Sequence, residues 1–136
     1  MILVDSSVWI EFLRATGSSQ DAALDALLDA LLEARAELAT TDVVVMEVLA
    51  GARSDDERDE LRRLLYGRCA FLPLQGPHDF EMAAELYRRC RRGGETVRKL
   101  TDCLIAVVAI RAEADVLHRD GDFEVIARHA PLRLVA

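Results

Sequence analysis

Short apolar runs alternate with longer amphipathic segments along this chain of 136 residues. The first run, Ile2–Val4, ends at Asp5 and predicts a short buried strand. Runs of the same kind recur between segments whose apolar positions repeat at helical spacing. In chain order, the pattern predicts strands at Ile2–Val4, Glu37–Ala39, Ala70–Leu74, Val116–Arg119 and Leu132–Val135.

Helices are predicted between these strands. Ser6 or Ser7 can cap the first helix, and residues 54–57 have the form of a capping box that opens another. Thr101–Ala114 is apolar on nearly every side, which indicates a helix buried at the centre of the domain. The predicted helices are one that carries Val8, Trp9, Phe12 and Leu13, then Gln20–Arg35, a helix from Ser54 to about Tyr66, Pro77–Arg92, Thr101–Ala114 and Asp122–His129.

The segment Asp42–Ala52 is ambiguous on pattern alone. Its β-branched run Val43–Val45 favours a strand, because such side chains pack well on a pleated surface. The following residues, Met46–Ala50, favour a helix instead. Periodicity therefore leaves both structures open for this segment.

Strands that alternate with helices predict an α/β fold, with a short, mostly parallel, twisted sheet and helices on both of its faces. The length is typical of one domain, so residues 1–136 are expected to form a single unit. A composition of 51% hydrophobic and 30% charged residues excludes a disordered segment. The longest strongly apolar stretch, Cys103–Ile110, is far shorter than the roughly 20 residues of a membrane span, so no membrane partner is expected.

The expected location is the cytoplasm. No signal-peptide pattern precedes Asp5. The cysteines Cys69, Cys90 and Cys103 have neither the spacing of a zinc site nor that of a disulfide framework, which indicates a reducing compartment. The three histidines likewise show no metal-ligand spacing, so metal binding through nitrogen or sulfur is not expected.

Five acids stand out because they interrupt or directly follow apolar runs. A charge in such a place must be paired, protonated or bound to a metal. In an open parallel sheet, ligands collect beyond the carboxyl ends of the strands, and oxygen ligands without histidine or cysteine suit Mg²⁺ or Mn²⁺. The acids are Asp5 after the first strand, Glu47 within Val43–Ala50, Asp102 at the start of the buried helix, and Asp120 and Asp122 after Val116–His118.

Each acid also has a purely structural alternative. Asp102 or Thr101 can cap the buried helix, Asp122 can cap the last helix, and Asp120 can form a turn with the glycine that follows it. Glu47 can pair with an arginine, and Asp5 can serve as a helix-entry residue. Convergence of all five in one cleft would favour a metal site, because clustered carboxylates raise one another's pKa unless a cation intervenes.

Basic residues are concentrated between residues 88 and 99, although the net charge of the whole chain is −7. One interpretation is a solvated helix end whose arginines are favoured by the helix dipole. The functional interpretation is a rim that binds RNA phosphates beside the acidic cleft. The RNA-binding candidates are Arg91, Arg92, Arg98 and Lys99.

Four segments of the chain resemble the acidic motifs of PIN-domain ribonucleases, and more narrowly those of VapC toxins from bacterial toxin–antitoxin pairs. Their order and spacing match, and the segment Gly93–Arg98 also looks typical of one VapC branch. The resemblance covers essentially the whole chain. The four segments are Met1–Ile10, Met46–Gly51, Thr101–Ala106 and His118–Phe123.

The resemblance implies a PIN-like domain that cleaves structured RNA with Mg²⁺, for which Mn²⁺ can substitute. Asp5, Glu47, Asp102 and Asp120 would be the catalytic acids. Asp5, Asp102 and Asp120 would bind the metal, with Asp122 behind them or at a second metal ion. The resemblance also implies that Asp42–Ala52 is a helix, that transfer or ribosomal RNA is the substrate, and that the partners are a VapB-type antitoxin and a second copy of the chain.

The predicted reaction is hydrolysis by a metal-activated water, because no histidine or lysine is placed as an obvious general base. Two other classes compete with this interpretation. A phosphoryl-accepting receiver domain would need an Asp after the third strand, yet the residues there are Leu72-Pro73-Leu74. A binding module with an inactive site would lack some of the acids, and all of them are present.

Overall fold

The computed structural model describes residues 1–15, residue 29 and residues 37–135. The described residues form four strands and six helices. The strands are β1 (Ile2–Val4), β2 (Leu38–Thr40), β3 (Ala70–Phe71) and β4 (Asp115–Leu117). The helices are α1 (Ser6–Ala15), α2 (Asp42–Ala50), α3 (Asp55–Arg68), α4 (Gly76–Arg92), α5 (Leu100–Ala112) and α6 (Asp122–His129). The predicted helix Gln20–Arg35 lies outside the described residues, apart from residue 29.

The strands form one parallel sheet in the order β3-β2-β1-β4. Consecutive residues of β1 and β2 point to opposite faces, and Leu3, Val4, Leu38 and Ala39 are all buried. Both faces are therefore covered, which confirms the predicted α/β fold with helices on either side of the sheet. The chain leaves β1 toward β2 and β3 and later returns to the far side of β1 as β4. The carboxyl ends of β1 and β4 thus flank the point where strand order reverses, the usual ligand position in such sheets.

Helix α5 is the buried helix that the sequence predicts. Residues Cys103–Ala109 are buried without interruption, because α5 packs against α2, α4, α6 and β4. Its most extensive partner is α4, and Asp79 of α4 forms a buried ion pair with Arg111 of α5. This pair fixes the last turn of α5, at the end of the helix opposite Asp102.

The structure resolves the ambiguous segment as a helix, as the family resemblance implied. Val43, Val44 and Val45 are buried in the core. Burying a valine side chain contributes about 1.5 kcal/mol or more, whereas its weak helix propensity costs a few tenths, so packing decides the conformation. The helix ends at residue 50, two residues earlier than predicted.

Four predicted strands have different bounds in the structure. β2 begins and ends one residue later than the predicted Glu37–Ala39. β3 has two residues rather than five, because Pro73 has no N–H for a ladder and the Leu74 N–H donates to Asp42 Oδ2 at 2.7 Å. β4 begins and ends earlier than predicted. The predicted strand Leu132–Val135 is wrong in extent, since it contributes one parallel bridge, between Leu134 and Val116.

The capping box at the start of α3 is confirmed in its first half. The Glu57 backbone N–H donates to Ser54 Oγ at 3.1 Å. The Glu57 carboxylate reaches the Arg53 N–H at 3.4 Å rather than the N–H of Ser54. The predicted start of α3 is therefore correct, and the helix runs two residues beyond Tyr66.

Candidate active site

Asp5 is the last residue before α1 and is completely buried. Its Oδ2 accepts the Ser7 backbone N–H at 3.1 Å and the Ser7 hydroxyl, so it caps the helix that Ser6 or Ser7 was expected to cap. Its other oxygen, Oδ1, is buried and accepts no hydrogen bond. Asp5 therefore serves as a helix-entry residue through Oδ2, as the structural alternative proposed, while its Oδ1 remains free for a ligand.

Asp102, Asp120 and Asp122 form the cluster at the centre of the site. Each offers one carboxylate oxygen, and these three atoms lie within 4.8 Å of one another. Asp102 comes from the first turn of α5, Asp120 follows β4, and Asp122 begins α6. Two helix N-termini and one strand end thus bring Asp102 together with two acids that lie 18 and 20 positions later in the chain.

The Asp102 carboxylate has one described ion pair, with Lys99 Nζ at 3.9 Å, and it does not cap its helix. The helix α5 begins at Leu100 and its N-cap is Lys99, so the capping alternative for Asp102 is wrong. Both of its oxygens are buried and accept no hydrogen bond. Burial raises the pKa of Asp102 to about 9, the Lys99 ammonium opposes this rise, and the carboxylates of Asp5 and Asp120 add to it.

Asp120 and Asp122 have partners that fix their positions. Asp120 Oδ1 accepts the Asp122 N–H at 3.0 Å, which is the turn geometry its sequence suggested. Asp122 does not cap its own helix, because its two oxygens accept the backbone N–H groups of Arg98 and Lys99 at 3.1 and 3.0 Å. Asp122 thereby anchors the residues that lead into α5.

Glu47 of α2 is half-buried and interacts electrostatically with Asp5. Ser6 Oγ donates to Glu47 Oε1 at 3.2 Å, so the described partner is a hydroxyl rather than the arginine that the alternative required. Burial raises the pKa of Glu47, the Ser6 hydrogen bond opposes the rise, and the Asp5 carboxylate adds to it. Four of the predicted acids (Asp5, Glu47, Asp102 and Asp120) are therefore electrostatically coupled.

Two of the predicted RNA-binding residues lie against these acids. Lys99 Nζ is 2.9 Å from Asp120 Oδ2, and it holds the pKa of Asp120 below its usual range although burial acts in the opposite direction. The Arg98 guanidinium lies 3.5 Å from both Asp120 and Asp122. Arg91 and Arg92 lie in the last turn of α4, where the Arg91 guanidinium stacks 5.6 Å from the centre of the Tyr87 ring.

An open cleft of about 680 Å³ adjoins the acids, and sequence reasoning missed several residues that line it. The Ser6 hydroxyl donates to Glu47, and the Ser7 hydroxyl donates to Asp5. Their position directly after Asp5 in the chain was the sequence signal that could have identified them. The Arg119 backbone N–H donates to Ser7 Oγ at 3.0 Å, and its guanidinium pairs with Glu11. Nothing in the chain pattern indicated that Arg119 would line the same cleft as Glu47. The lining residues are Ser6, Ser7, Ile10, Glu11, Glu47, Lys99 and Arg119.

The donor set fits a hard divalent cation. Buried oxygens without a hydrogen bond, on Asp5 and Asp102, are costly unless a cation or proton satisfies them. Carboxylate oxygens are the ligands that Mg²⁺ and Mn²⁺ prefer, and Asp120 and Asp122 add two more within reach of Asp102. The described acids therefore suit an oxygen-ligated metal site.

Comparison with known proteins agrees with this arrangement. The model of the PIN domain family matches residues 2–129. Ribonuclease VapC11 of Mycobacterium tuberculosis is 46% identical over 128 residues, which cover 94% of this chain and 92% of that protein. VapBC2 of Rickettsia felis, solved bound to a DNA fragment from their promoter, is similar in structure with a TM-score of 0.72 at 17% identity, over 99% of this chain and 98% of that one. VapBC-5 of Mycobacterium tuberculosis, a member of a family of toxin–antitoxin systems, has a TM-score of 0.61 at 26% identity, over 98% and 95%.

The chain therefore belongs to the PIN domain family, in the branch of the VapC ribonucleases. The resemblance carried by the four acidic motifs is thereby confirmed. The receiver-domain alternative is wrong, since the family and the sheet order are those of a different fold.

Proposed function

We propose that this chain is the Mg²⁺-dependent endoribonuclease toxin of a VapBC pair, with residues 1–136 as a single PIN domain and Mn²⁺ as a substitute metal. The observation that carries the proposal is Asp102, a fully buried carboxyl whose oxygens accept no hydrogen bond beside Asp120 and Asp122. A fully buried carboxyl that accepts no hydrogen bond, with its nearest described ammonium 3.9 Å away, is costly as a packing residue, and a cation ligand is the role that explains it.

The chain's own residues divide the work of such a site. Asp5, Asp102 and Asp120 would hold the metal, with Asp122 fixing the start of α5 and adding a further oxygen. A bound divalent ion supplies charge stabilisation at the scissile phosphate and lowers the pKa of a coordinated water. Glu47 lines the cleft with a raised pKa, so it is placed to exchange a proton with groups bound there.

The proposed substrate is structured RNA, with transfer or ribosomal RNA as the first choice. Arg98, Arg119 and Lys99 place cationic groups at the cleft or beside its acids, where they can bind phosphates. Arg91 and Arg92 are proposed as an outer rim on α4. Few aromatic side chains are available for stacking on bases, so recognition should depend on RNA backbone shape.

The proposed protein partners are a VapB-type antitoxin and a second copy of the chain. The structural relatives VapBC2 and VapBC-5 were solved as toxin–antitoxin pairs, which supports the first partner. The acidic cleft suits an inserted arginine, because a guanidinium binds carboxylates in a bidentate manner. The proposed location is the cytoplasm. None of the helices among the described residues has the length and apolar character needed to cross a bilayer.

RNA cleavage in the presence and absence of metal tests the proposed activity. We expect cleavage of bulk transfer RNA with Mg²⁺ or Mn²⁺, none in excess EDTA, and none for Asp5→Asn or Asp102→Asn. The matched control is Asp56→Asn, which makes the same change at an exposed position in the first turn of α3 and should retain full activity. Full activity of the wild-type protein in excess EDTA would contradict the proposal, and sequencing of the cleaved ends would identify the substrate.

A further inference from the structure

Lys99 is the only lysine of the chain, and it contacts all three members of the acidic cluster. Its Nζ lies 2.9 Å from Asp120 Oδ2 and 3.9 Å from Asp102 Oδ1. Its backbone N–H donates to Asp122 Oδ2 at 3.0 Å. The ammonium is therefore the nearest described positive charge to Asp102, whose oxygens accept no hydrogen bond from it at that distance.

The Lys99 side chain lies between the open cleft and the buried acids. It lines the cleft and is 46% exposed, whereas the Asp102 side chain is completely buried and the Asp120 side chain is 10% exposed. The ammonium is therefore accessible from the cleft, whereas the Asp102 carboxyl is closed to solvent.

A divalent metal and the ammonium cannot share these oxygens at low cost. Mg²⁺ binds carboxylate oxygens at about 2.0–2.1 Å and demands near-ideal octahedral geometry around itself. An ammonium that stays at 2.9 Å from the same Asp120 oxygen would lie within a few ångströms of a doubly charged ion, where repulsion between like charges is strong. Lysine has a flexible four-carbon stem, so its head group can move away while its backbone remains bound to Asp122.

We propose that the Lys99 ammonium is a built-in counter-ion for Asp102 and Asp120 that competes with the divalent metal, so that metal binding drives it out into the cleft. This inference rests on the proposed function, because it takes the acidic cluster as the metal site. Lys99 then serves the metal-free protein by neutralising the cluster and becomes available to a phosphate only when the metal is in place. The Arg98 guanidinium contacts Asp120 and Asp122, each at 3.5 Å, and its side chain is more exposed than that of Lys99.

Titration calorimetry with Mn²⁺ tests the competition without any assay of activity. Loss of a charge-assisted hydrogen bond that the metal must break should make Lys99→Met bind Mn²⁺ about tenfold more tightly than wild type. Arg119→Met is the matched control, since it removes one positive charge from the same cleft but from a side chain that pairs with Glu11. We expect the control to change the affinity less than about twofold. Lys99→Gln provides a second variant, and thermal melts establish that each variant is folded.

The single lysine also permits a direct measurement of its displacement. In wild type, an amine-acylating reagent can modify only Lys99 and the N-terminal amine. Saturating Mn²⁺ should increase the acylation rate at Lys99 several-fold, because the amine leaves Asp120, while the rate at the N-terminus stays constant and serves as the internal reference. Mass spectrometry of the proteolysed protein separates the two sites.

The outcomes distinguish the inference from the function on which it rests. Tighter Mn²⁺ binding by the Lys99 variants alone, with faster acylation at Lys99, supports the competition. Unchanged affinity in the Lys99 variants, equal tightening in the Arg119 control, or acylation that does not accelerate with Mn²⁺ would overturn it while leaving the metal site intact. Failure of wild type and all variants to bind Mn²⁺ would overturn the proposed metal site and the inference with it.

Discussion

Asp102 is a single residue at which stability and the proposed activity are opposed. Its carboxyl is fully buried and accepts no hydrogen bond, and its pKa is raised to about 9 from an ordinary 3.8 because burial disfavours the charged form. Between about pH 4 and pH 9 the unfolded chain therefore binds fewer protons at this residue than the folded chain does. The free energy of unfolding of the metal-free protein should fall as pH rises through that window.

Asp102→Asn should consequently be more stable than wild type in EDTA. We expect an increase of about 0.5–2 kcal/mol in the free energy of unfolding, as for other substitutions that relieve a functional-site cost. The difference should be larger at pH 8 than at pH 5, since only wild type has the titrating carboxyl. Thermal melts in EDTA at the two pH values measure it.

Added Mg²⁺ provides the control for the same variant. At a Mg²⁺ concentration of ten times the dissociation constant, binding should stabilise wild type by about 1.4 kcal/mol. The stability advantage of Asp102→Asn over wild type should therefore become smaller or change sign. Destabilisation by Asp102→Asn in EDTA, together with indifference to Mg²⁺, would assign Asp102 to an ion pair of the fold and contradict the proposed metal site.

The acids of the site could be predicted from the sequence, whereas the basic residues around them could not be placed. Asp5 and Asp120 follow buried strands and Glu47 interrupts an apolar run, and such patterns are visible because a charge in an apolar string needs a reason. The place of Lys99 in the cluster was missed, although its position three residues before Asp102 was a signal. Arg119 could not be predicted as a cleft residue, because its side-chain direction depends on a partner in α1, Glu11, that is 108 positions away.

At the scale of helices and strands, the ion pair between Asp79 and Arg111 joins the start of α4 to the last turn of α5. Asp79 is completely buried and also accepts the Gln75 N–H at 2.7 Å, while Arg111 donates to the Pro73 carbonyl at 2.9 Å. Burial opposes the charged form, yet the Arg111 guanidinium holds the pKa of Asp79 below its usual range. This pair helps to fix the helix that carries Asp102.

Arg111→Met should lower the free energy of unfolding by about 2–4 kcal/mol. The expectation is below the 3–5 kcal/mol typical of a broken buried pair, because the Arg111 side chain is 30% exposed. Urea denaturation measures the change. The double variant Asp79→Asn/Arg111→Met should recover a large part of the loss, since Asn retains the acceptor for Gln75 without a buried charge. A double variant that is as unstable as Arg111→Met would show that packing, rather than charge, fixes α4 on α5.

The end of α5 offers a stabilising substitution. Glu113 is exposed and follows the helix in the left-handed region, with φ at 53°, where a side chain is disfavoured and glycine is not. Glu113→Gly should raise the free energy of unfolding by about 0.5–1 kcal/mol in urea denaturation, after allowance for the greater entropy of glycine in the unfolded chain. Glu113→Ala makes the same change in charge without relieving the backbone. An equal gain in both variants would attribute the effect to charge.

The helical segment at Asp42–Ala50 shows why local pattern was insufficient at this scale. Three consecutive valines have strand propensity, but each is buried when the segment is helical, because neighbouring elements surround α2. A helix that is covered on several sides has weak amphipathic periodicity, so its hydrophobic pattern does not identify it as a helix. The helix Pro77–Arg92, with one exposed face, was in contrast predicted to within one residue.

On the scale of the whole molecule, a net charge of −7 coexists with a positively charged second half. Replacing both Arg91 and Arg92 with Ala should weaken RNA binding for all sequences alike. Each lost phosphate contact should reduce the slope of log affinity against log salt by roughly 0.7 on single strands. Filter binding at several salt concentrations measures the slope.

The matched control for this prediction is Arg62→Ala/Arg63→Ala, an adjacent pair of exposed arginines on α3. We expect the control to keep the wild-type slope. An unchanged slope in the Arg91 and Arg92 variant would assign those two arginines to a solvated helix end that is favoured by the helix dipole.

The order of the strands also determines when the site can exist during synthesis. β1 pairs with β4 through Ile2 and Asp115, so β1 cannot form this pairing until a residue 113 positions later in the chain has been made. At 5–20 residues per second, that interval lasts about 6 to 23 seconds. Asp102, Asp120 and Asp122 are made within or just after the same interval, later than all residues of β1, β2 and β3. The acidic cluster therefore cannot assemble on a nascent chain before residue 122 of the 136 has been polymerised.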